Sequence, residues 1–166
     1  MDFIRDQGVR AFGTRLRRLS ERLDRDVQEI YRHSGVGFEP RWFPVVAALR
    51  EGSASVGELA ARIGVTHAAV SQVRGALAER GLVRARPDPA DQRRQVLELT
   101  DKGLQTAQRL EPLWEAIAAA TREMLQQAAP GLEAEMERLE AALSEQALKD
   151  RVLERLPAAE KEEVKG

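Results

Sequence analysis

The sequence predicts a mainly α-helical protein with one small β-hairpin near its middle. Aromatic residues make up only 4% of the chain and charged residues 32%, and the abundance of Ala and Leu favours helices. Apolar residues recur at helical spacing along most of the chain. One stretch differs, because RPDPADQRRQVLELT (residues 86–100) places two prolines and an Arg-Arg pair beside residues that alternate between polar and apolar.

Composition and charge narrow the possible functions. The chain has no cysteine and only two histidines, His33 and His67, which argues against disulfides, thiolate chemistry and a metal site. No apolar run approaches the roughly 20 residues that a membrane span needs, and the N-terminus lacks a secretory signal core, so a cytoplasmic protein is expected. Residues 62–94 hold seven arginines and three acidic residues, and this local positive charge indicates an anionic partner.

The first helix is predicted from the apolar residues between Val9 and Ile30. They recur every three or four positions, at 9, 12, 16, 19, 23, 27 and 30, which is typical of a long amphipathic helix. Packing within its own domain is the simpler interpretation of such a stripe. Its length exceeds what a small central module could cover, so we favour a helix that pairs with a partner.

A second helix is predicted to begin at Pro40, because proline is favoured at the first helical position. Pro44 lies one turn further and is expected to bend the start of this helix. Trp42 and Phe43 belong to its apolar face. Their expected place is the core, and a ligand pocket is the alternative.

Two short helices joined by a tight turn are predicted between residues 55 and 81. Ser55 and Glu58 have the spacing of a capping box, and Gly64 can adopt the left-handed conformation that a tight turn needs. Thr66 then caps a third helix that runs to about Glu79. A two-turn helix, a short glycine turn and another helix form a helix-turn-helix.

The outward face of this third helix is expected to touch DNA. Val70, Val73 and Leu77 are predicted to point inward, and no acidic residue precedes Glu79. The remaining face is small or hydrogen-bonding and carries His67, Ala68, Ser71, Gln72, Arg74 and Gly75. Such a face suits the base edges of the major groove.

The hairpin that follows is predicted to be a wing. LVRARP and QVLELT alternate with period two around the turn residues DPADQRR. We expect Arg93 at the tip to enter the minor groove and Asp91 to orient its guanidinium. Arg86 and Arg94 are expected on flanking phosphates. The alternative is a solvated loop whose charges cancel.

Helices are predicted again after the wing. A long helix begins near Thr100, with Pro112 as a bend, and a further helix starts after Pro130. The segment ALKDRVLERLPAAE is expected to form a last short helix, followed by a charged tail.

These motifs together resemble the signature of the MarR family of winged-helix regulators. The chain has the family's Leu-x-x-x-Gly-Leu-Val at 77–83, a basic strand, Asp-x-Arg at 91–93 and Leu-Thr-x-x-Gly at 99–103. VTHAAVSQV is similar to its recognition helix, with Ala68 where many relatives have proline. The opening of the chain and FEPRWFPVVAAL look most like a branch that is sometimes fused to a GNAT-type acetyltransferase. No acetyltransferase domain is expected within this sequence.

The resemblance implies a homodimer built by the N- and C-terminal helices. It also implies the DNA-binding residues, which are Thr66, His67, Ala68, Ser71, Gln72 and Arg74 in the recognition helix and Arg84, Arg86, Asp91, Arg93 and Arg94 in the wing. Many members release DNA when a small aromatic or phenolic acid binds in a crease. The candidate residues for that crease are Phe12, Leu16, Tyr31, Trp42 and Phe43.

The expected organisation is an N-terminal dimerisation helix (1–33), a winged helix-turn-helix lobe (34–103), and C-terminal dimerisation helices with a tail (104–166). The expected function is that of a sequence-specific transcriptional regulator, more often a repressor in this family, bound to a palindromic operator. A helical protein-interaction module on the same scaffold is the alternative. No cofactor is expected, and no nucleophile–base constellation indicates an enzyme.

Overall fold

The computed structural model describes residues 2–157, and its described part is mainly helical with one two-stranded hairpin. This confirms the predicted fold class. The described residues form two compact units, one up to Glu115 and one from Ala116 onward. The predicted tail after Pro157 lies outside the described residues.

The chain opens with a short helix α1 (Phe3–Asp6), a 3-10 turn (Gly8–Ala11) and the long helix α2 (Phe12–Ser34). The predicted helix therefore begins later than Val9, which lies in the 3-10 turn and is exposed. Gly35 ends α2 in the left-handed conformation, with φ of 67°, as glycine after a helix commonly does.

Residues 40–63 contain a 3-10 turn followed by two helices. Pro40–Trp42 is a 3-10 turn, and helix α3 (Phe43–Glu51) starts only after it. Pro44 therefore lies in the first turn of α3, where a missing N–H costs nothing, and it does not bend a longer helix. Helix α4 (Val56–Ile63) follows and begins with the predicted capping box.

Helix α5 (His67–Glu79) leads into the hairpin of β1 (Val83–Pro87) and β2 (Gln95–Leu99). The strands are antiparallel, with Val83 opposite Leu99 and Arg86 opposite Val96. A single bridge between Ala54 and Leu97 attaches the segment before α4 to β2. The C-terminal helices are α6 (Asp101–Ala128), α7 (Leu132–Glu145) and α8 (Leu148–Arg155).

The core joins α3, α4, α5, both strands and the start of α6. Leu59 and Leu77 are fully buried, and Val70 is 1% exposed. The predicted inward positions of α5, which are Val70, Val73 and Leu77, are confirmed. Burial of these side chains stabilises the lobe by about 1.5–3 kcal/mol each.

The junction between the hairpin and α6 explains the Leu-Thr-x-x-Gly motif. Thr100 Oγ1 donates to the Gly81 carbonyl (2.6 Å) and accepts the Gly103 N–H (3.1 Å), so it caps α6. Gly103 lies against the backbone of Leu82, where a Cβ atom would come within 2.1 Å of the carbonyl oxygen. Glycine is therefore required there by close approach. No helix of residues 2–157 is long and apolar enough to span a membrane.

Candidate nucleic-acid interface

The turn between α4 and α5 fixes how α5 is presented. Gly64 has φ of 75°, and its N–H and that of Val65 both donate to the Ala60 carbonyl, at 3.0 and 3.1 Å. Thr66 Oγ1 accepts the Ala69 N–H at 3.2 Å and caps α5. Because both helix ends are satisfied locally and the inner faces are buried, the outer face of α5 has one defined orientation.

That outer face is accessible to solvent and carries hydrogen-bonding groups. His67, Ala68, Gln72 and Arg74 are exposed, and Ser71 is partly exposed. Arg74 has no carboxylate within 4.0 Å among residues 2–157. Thr66 is exposed too, but its hydroxyl is engaged in the cap. The five other residues predicted to contact DNA therefore share one accessible face.

The wing tip is held by side chains that bind backbone groups. Asp88 Oδ1 accepts the Ala90 N–H at 2.9 Å, and Asp91 Oδ1 accepts the Arg93 N–H at 3.0 Å. Two backbone bonds, from Asp88 N to Arg94 O (2.8 Å) and from Arg94 N to Asp91 O (2.9 Å), close the loop. The sequence suggested that Asp91 holds the guanidinium of Arg93. In the structure its carboxylate instead shapes the backbone that presents this side chain.

The arginines of the wing differ in their surroundings. Arg84 and Arg86 both pair with Glu98 on the opposite strand, Arg84 Nε at 2.7 Å. Arg86 first, and then Arg84, holds the pKa of Glu98 below its ordinary range. The cluster of Arg84, Arg86 and Glu98 thus carries a net charge of +1.

Arg94 and Arg93, at the tip of the wing, also differ in whether a carboxylate lies beside them. Arg94 pairs with Glu58 of α4 and with Asp88 at 3.4 Å. Arg93 is exposed and has no carboxylate within 4.0 Å among the residues described. Arg93 is therefore the tip arginine available to a new anion.

Sequence reasoning missed Glu58 and Glu98 as partners of the wing. Glu98 directly opposes Arg84 in the strand register, and directly opposed charges interact across antiparallel strands. The hairpin pattern could have shown this pair. Nothing in the local sequence places Glu58 beside Arg94.

The five candidate crease residues fall into two groups. Tyr31, Trp42 and Phe43 join an aromatic cluster that also includes Phe38 and Trp114, with neighbouring ring centroids 5.1–5.8 Å apart. Phe12 and Leu16 are each 48% exposed on α2 and are not part of the buried core cluster.

The aromatic cluster contains three buried polar groups, which are the Tyr31 hydroxyl and the indole N–H groups of Trp42 and Trp114. Trp114 Nε1 donates to the Tyr31 hydroxyl at 2.9 Å, and burial raises the pKa of Tyr31 while this bond partly offsets the rise. The indole N–H of Trp42 is buried and has no hydrogen-bond partner among residues 2–157. Arg80, at the end of α5, lies 4.9 Å from the Trp42 ring and donates to the Gly37 carbonyl at 2.8 Å. The cluster therefore contacts the residue that ends α5.

The structure offers no metal centre in its described part, since residues 2–157 contain no group of three or more His, Cys, Asp or Glu that could hold an ion. The site consists of a rigid helix face and a charged hairpin. Its chemistry is that of hydrogen bonding and charge, which suits binding to a nucleic acid.

Residues 36–94 match the family model described as MarR family. No curated protein sequence matches the chain significantly.

Three solved structures illustrate the similarity. The M. tuberculosis transcriptional regulator MosR, in complex with DNA, is 27% identical with a TM-score of 0.65, covering 80% of this chain and 96% of its own. BpsR of Bordetella bronchiseptica, whose DNA binding is regulated by 6-hydroxynicotinic acid, is 26% identical with a TM-score of 0.63, covering 80% and 91%. The transcriptional regulator BldR of Sulfolobus solfataricus is 26% identical with a TM-score of 0.60, covering 87% and 99%.

Proposed function

We propose, from the match of residues 36–94 to the MarR family model, that the chain is a sequence-specific, DNA-binding transcriptional regulator. We propose further that it acts in the cytoplasm as a homodimeric repressor on a palindromic operator. The outer face of α5 is the observation that carries the proposal. It is exposed and free of acidic side chains up to Glu79, while the opposite face is buried.

In this proposal α5 enters the major groove, and Gln72, Ser71 and Arg74 reach base edges. Glutamine can bind adenine through two hydrogen bonds, and arginine can bind guanine in the same way. His67 and Ala68 lie in the first turn of α5, close to the backbone of the groove. Arg93 of the wing enters the adjacent minor groove, because it is the exposed tip arginine that has no carboxylate partner among the described residues.

The proposed dimer rests on two exposed apolar stripes. On α2, Leu16, Leu19 and Leu23 are 48%, 60% and 49% exposed. On α7, four residues at alternating spacings of four and three, a coiled-coil seam, are 41–52% exposed: Leu132, Met136, Leu139 and Leu143. A second copy of the chain would cover both stripes, because an isologous interface buries the same surfaces twice.

Sedimentation at micromolar concentration tests the dimer and should give twice the chain mass. Leu19→Glu places a charge in the stripe of α2 and should shift the protein toward monomer. Glu21→Gln, on the same helix, serves as the control and should leave the mass unchanged. A monomeric wild-type protein would contradict the proposed assembly.

Selection of bound fragments from random DNA tests the function. We expect enrichment of a two-fold symmetric sequence. Gln72→Ala should then weaken binding by about 1–3 kcal/mol at one position of each half-site, relaxing specificity there. An equal loss on selected and random DNA would mean that Gln72 contacts phosphate. Absence of any enrichment would favour the alternative, a protein-interaction module on a winged-helix scaffold.

A small aromatic effector is a second element of the proposal. The aromatic cluster contacts Arg80 at the end of α5, and the buried Trp42 N–H there finds no hydrogen-bond partner in the described part of the chain. BpsR, which shares the fold, is regulated by an aromatic acid. Quenching of tryptophan fluorescence by 6-hydroxynicotinic acid, together with loss of DNA binding, tests this element directly.

A further inference from the structure

Glu58 makes two different kinds of contact with the same carboxylate oxygen. Its Oε2 accepts the Ser55 N–H at 2.8 Å and the Ser55 hydroxyl at 2.9 Å, which completes the capping box of α4. The same Oε2 also pairs with the guanidinium of Arg94 in the wing. A capping box needs only the contacts with Ser55, so the ion pair with Arg94 calls for a separate explanation.

Arg94 lies at the point where the wing tip rejoins strand β2. Its backbone carbonyl and N–H make the two bonds that close the tip, and its side chain reaches Asp88 at 3.4 Å. Among residues 2–157, the Glu58–Arg94 pair is the one hydrogen bond or ion pair that joins residues 87–95 to a residue outside the hairpin. A two-stranded hairpin on its own is marginally stable in water.

A second attachment lies at the middle of strand β2. Ala54 and Leu97 exchange two backbone hydrogen bonds, at 3.1 and 2.8 Å. Ala54 directly precedes the capping box. The start of α4 therefore contacts the wing twice, through backbone hydrogen bonds to Leu97 and through the Glu58 side chain at Arg94. The helix-turn-helix and the wing are thereby joined on both sides of Gln95 and Val96.

We propose that Glu58 is a positioning residue for the wing, which acts through Arg94 to hold the tip arginine, Arg93, at a fixed place relative to α5. The proposal rests on the proposed DNA-binding function. It assigns Arg94 to anchoring, whereas the sequence suggested a phosphate contact. The proposed role of Glu58 favours DNA binding, whereas its charge alone would weaken binding, because a carboxylate near DNA repels the phosphates.

Glu58→Gln separates the two roles of the side chain. The glutamine carbonyl can still accept the Ser55 N–H, as Glu and Gln both serve in capping boxes, but the charge that holds Arg94 is lost. Binding is measured on a DNA duplex selected from random sequence by the wild-type protein. Electrostatic repulsion alone predicts tighter binding by the variant. The positioning role predicts binding about fivefold weaker, the effect of losing one exposed ion pair.

A double-mutant cycle shows whether Glu58 acts through Arg94. In the Arg94→Gln background, Glu58→Gln should have no further effect on affinity. Ser55→Ala is the matched control, since it removes the hydroxyl of the cap and leaves the carboxylate beside Arg94. It should lower the melting temperature while leaving the affinity for the selected duplex within twofold of wild type.

Hydrogen exchange without DNA gives an independent readout. Glu58→Gln should speed exchange of the Asp88 and Arg94 amides, which close the tip, and Ser55→Ala should not. Unchanged exchange at these amides, or binding as tight as wild type by Glu58→Gln, overturns the proposal. If the wild-type protein selects no DNA, the proposed function fails, and the exchange data still decide whether Glu58 holds the wing.

Discussion

Gly103→Ala should strongly destabilise the winged helix, although alanine normally favours a helix. The added methyl would lie 2.1 Å from the Leu82 carbonyl oxygen and 3.1 Å from its carbon. The nearest of these contacts is more than roughly 1 Å shorter than a favourable van der Waals distance. The opposing atoms belong to backbone, and the same carbonyl accepts the Thr100 N–H at 3.0 Å. The clash therefore cannot be relieved by rotating a side chain.

The magnitude follows from three terms. Overpacking of this kind costs about 1–3 kcal/mol, and the upper end applies because backbone must move. Weakening of the Thr100–Leu82 hydrogen bond adds about 1 kcal/mol. The higher helix propensity of alanine offsets about 1 kcal/mol of this destabilisation. The expected net loss is about 3 kcal/mol, which for a chain of this size lowers the melting temperature by roughly 6–12 °C.

Thermal unfolding followed by circular dichroism measures this shift, at one fixed protein concentration because assembly would make the midpoint depend on concentration. Gly75→Ala is the matched control. Gly75 also lies within a helix, but beyond its own helix backbone a Cβ atom there would meet no atom of residues 2–157 within 4 Å, so this variant should gain about 0.5–1 kcal/mol. A melting temperature for Gly103→Ala at or above the wild-type value would refute the assigned close approach.

Three further predictions concern pH, the core and the wing. The pKa of Glu58 is lowered from 4.5 to about 2, first by Arg94 and then by Ser55. The stabilising contribution of the Glu58 carboxylate should therefore be lost as pH falls from about 4.5 toward 2, and Glu58→Gln should make the stability depend less on pH in this range. Tyr31→Phe should cost about 1–3 kcal/mol in urea unfolding, because it leaves the buried Trp114 N–H unpaired. Asp91→Ala should weaken DNA binding despite removing a negative charge, because the Arg93 backbone is released; tighter binding would mean that the wing is only a charged loop.

The sequence alone determined the elements whose causes are local. Ser55, Gly64 and Thr66 act within one helical turn, and the structure gives them the predicted cap, left-handed turn and cap. Val70, Val73 and Leu77 follow the period of one helix, so their burial could be predicted from spacing alone. The motif at Leu99–Gly103 was also recognisable, although its physical reason, the approach of Gly103 to Leu82, was not.

The tertiary structure decided the features that depend on residues far apart in the chain. Glu58 lies 36 positions from Arg94, and Tyr31 lies 83 positions from Trp114, so no periodicity could pair them. The start of α3 depended on a 3-10 turn that proline permits but does not require. Asp91 had two available partners on the same residue, the guanidinium and the backbone N–H of Arg93, and only the path of the folded tip selected the backbone. Local patterns specify which helices and strands form, while the packing of those elements determines which charges and polar groups meet.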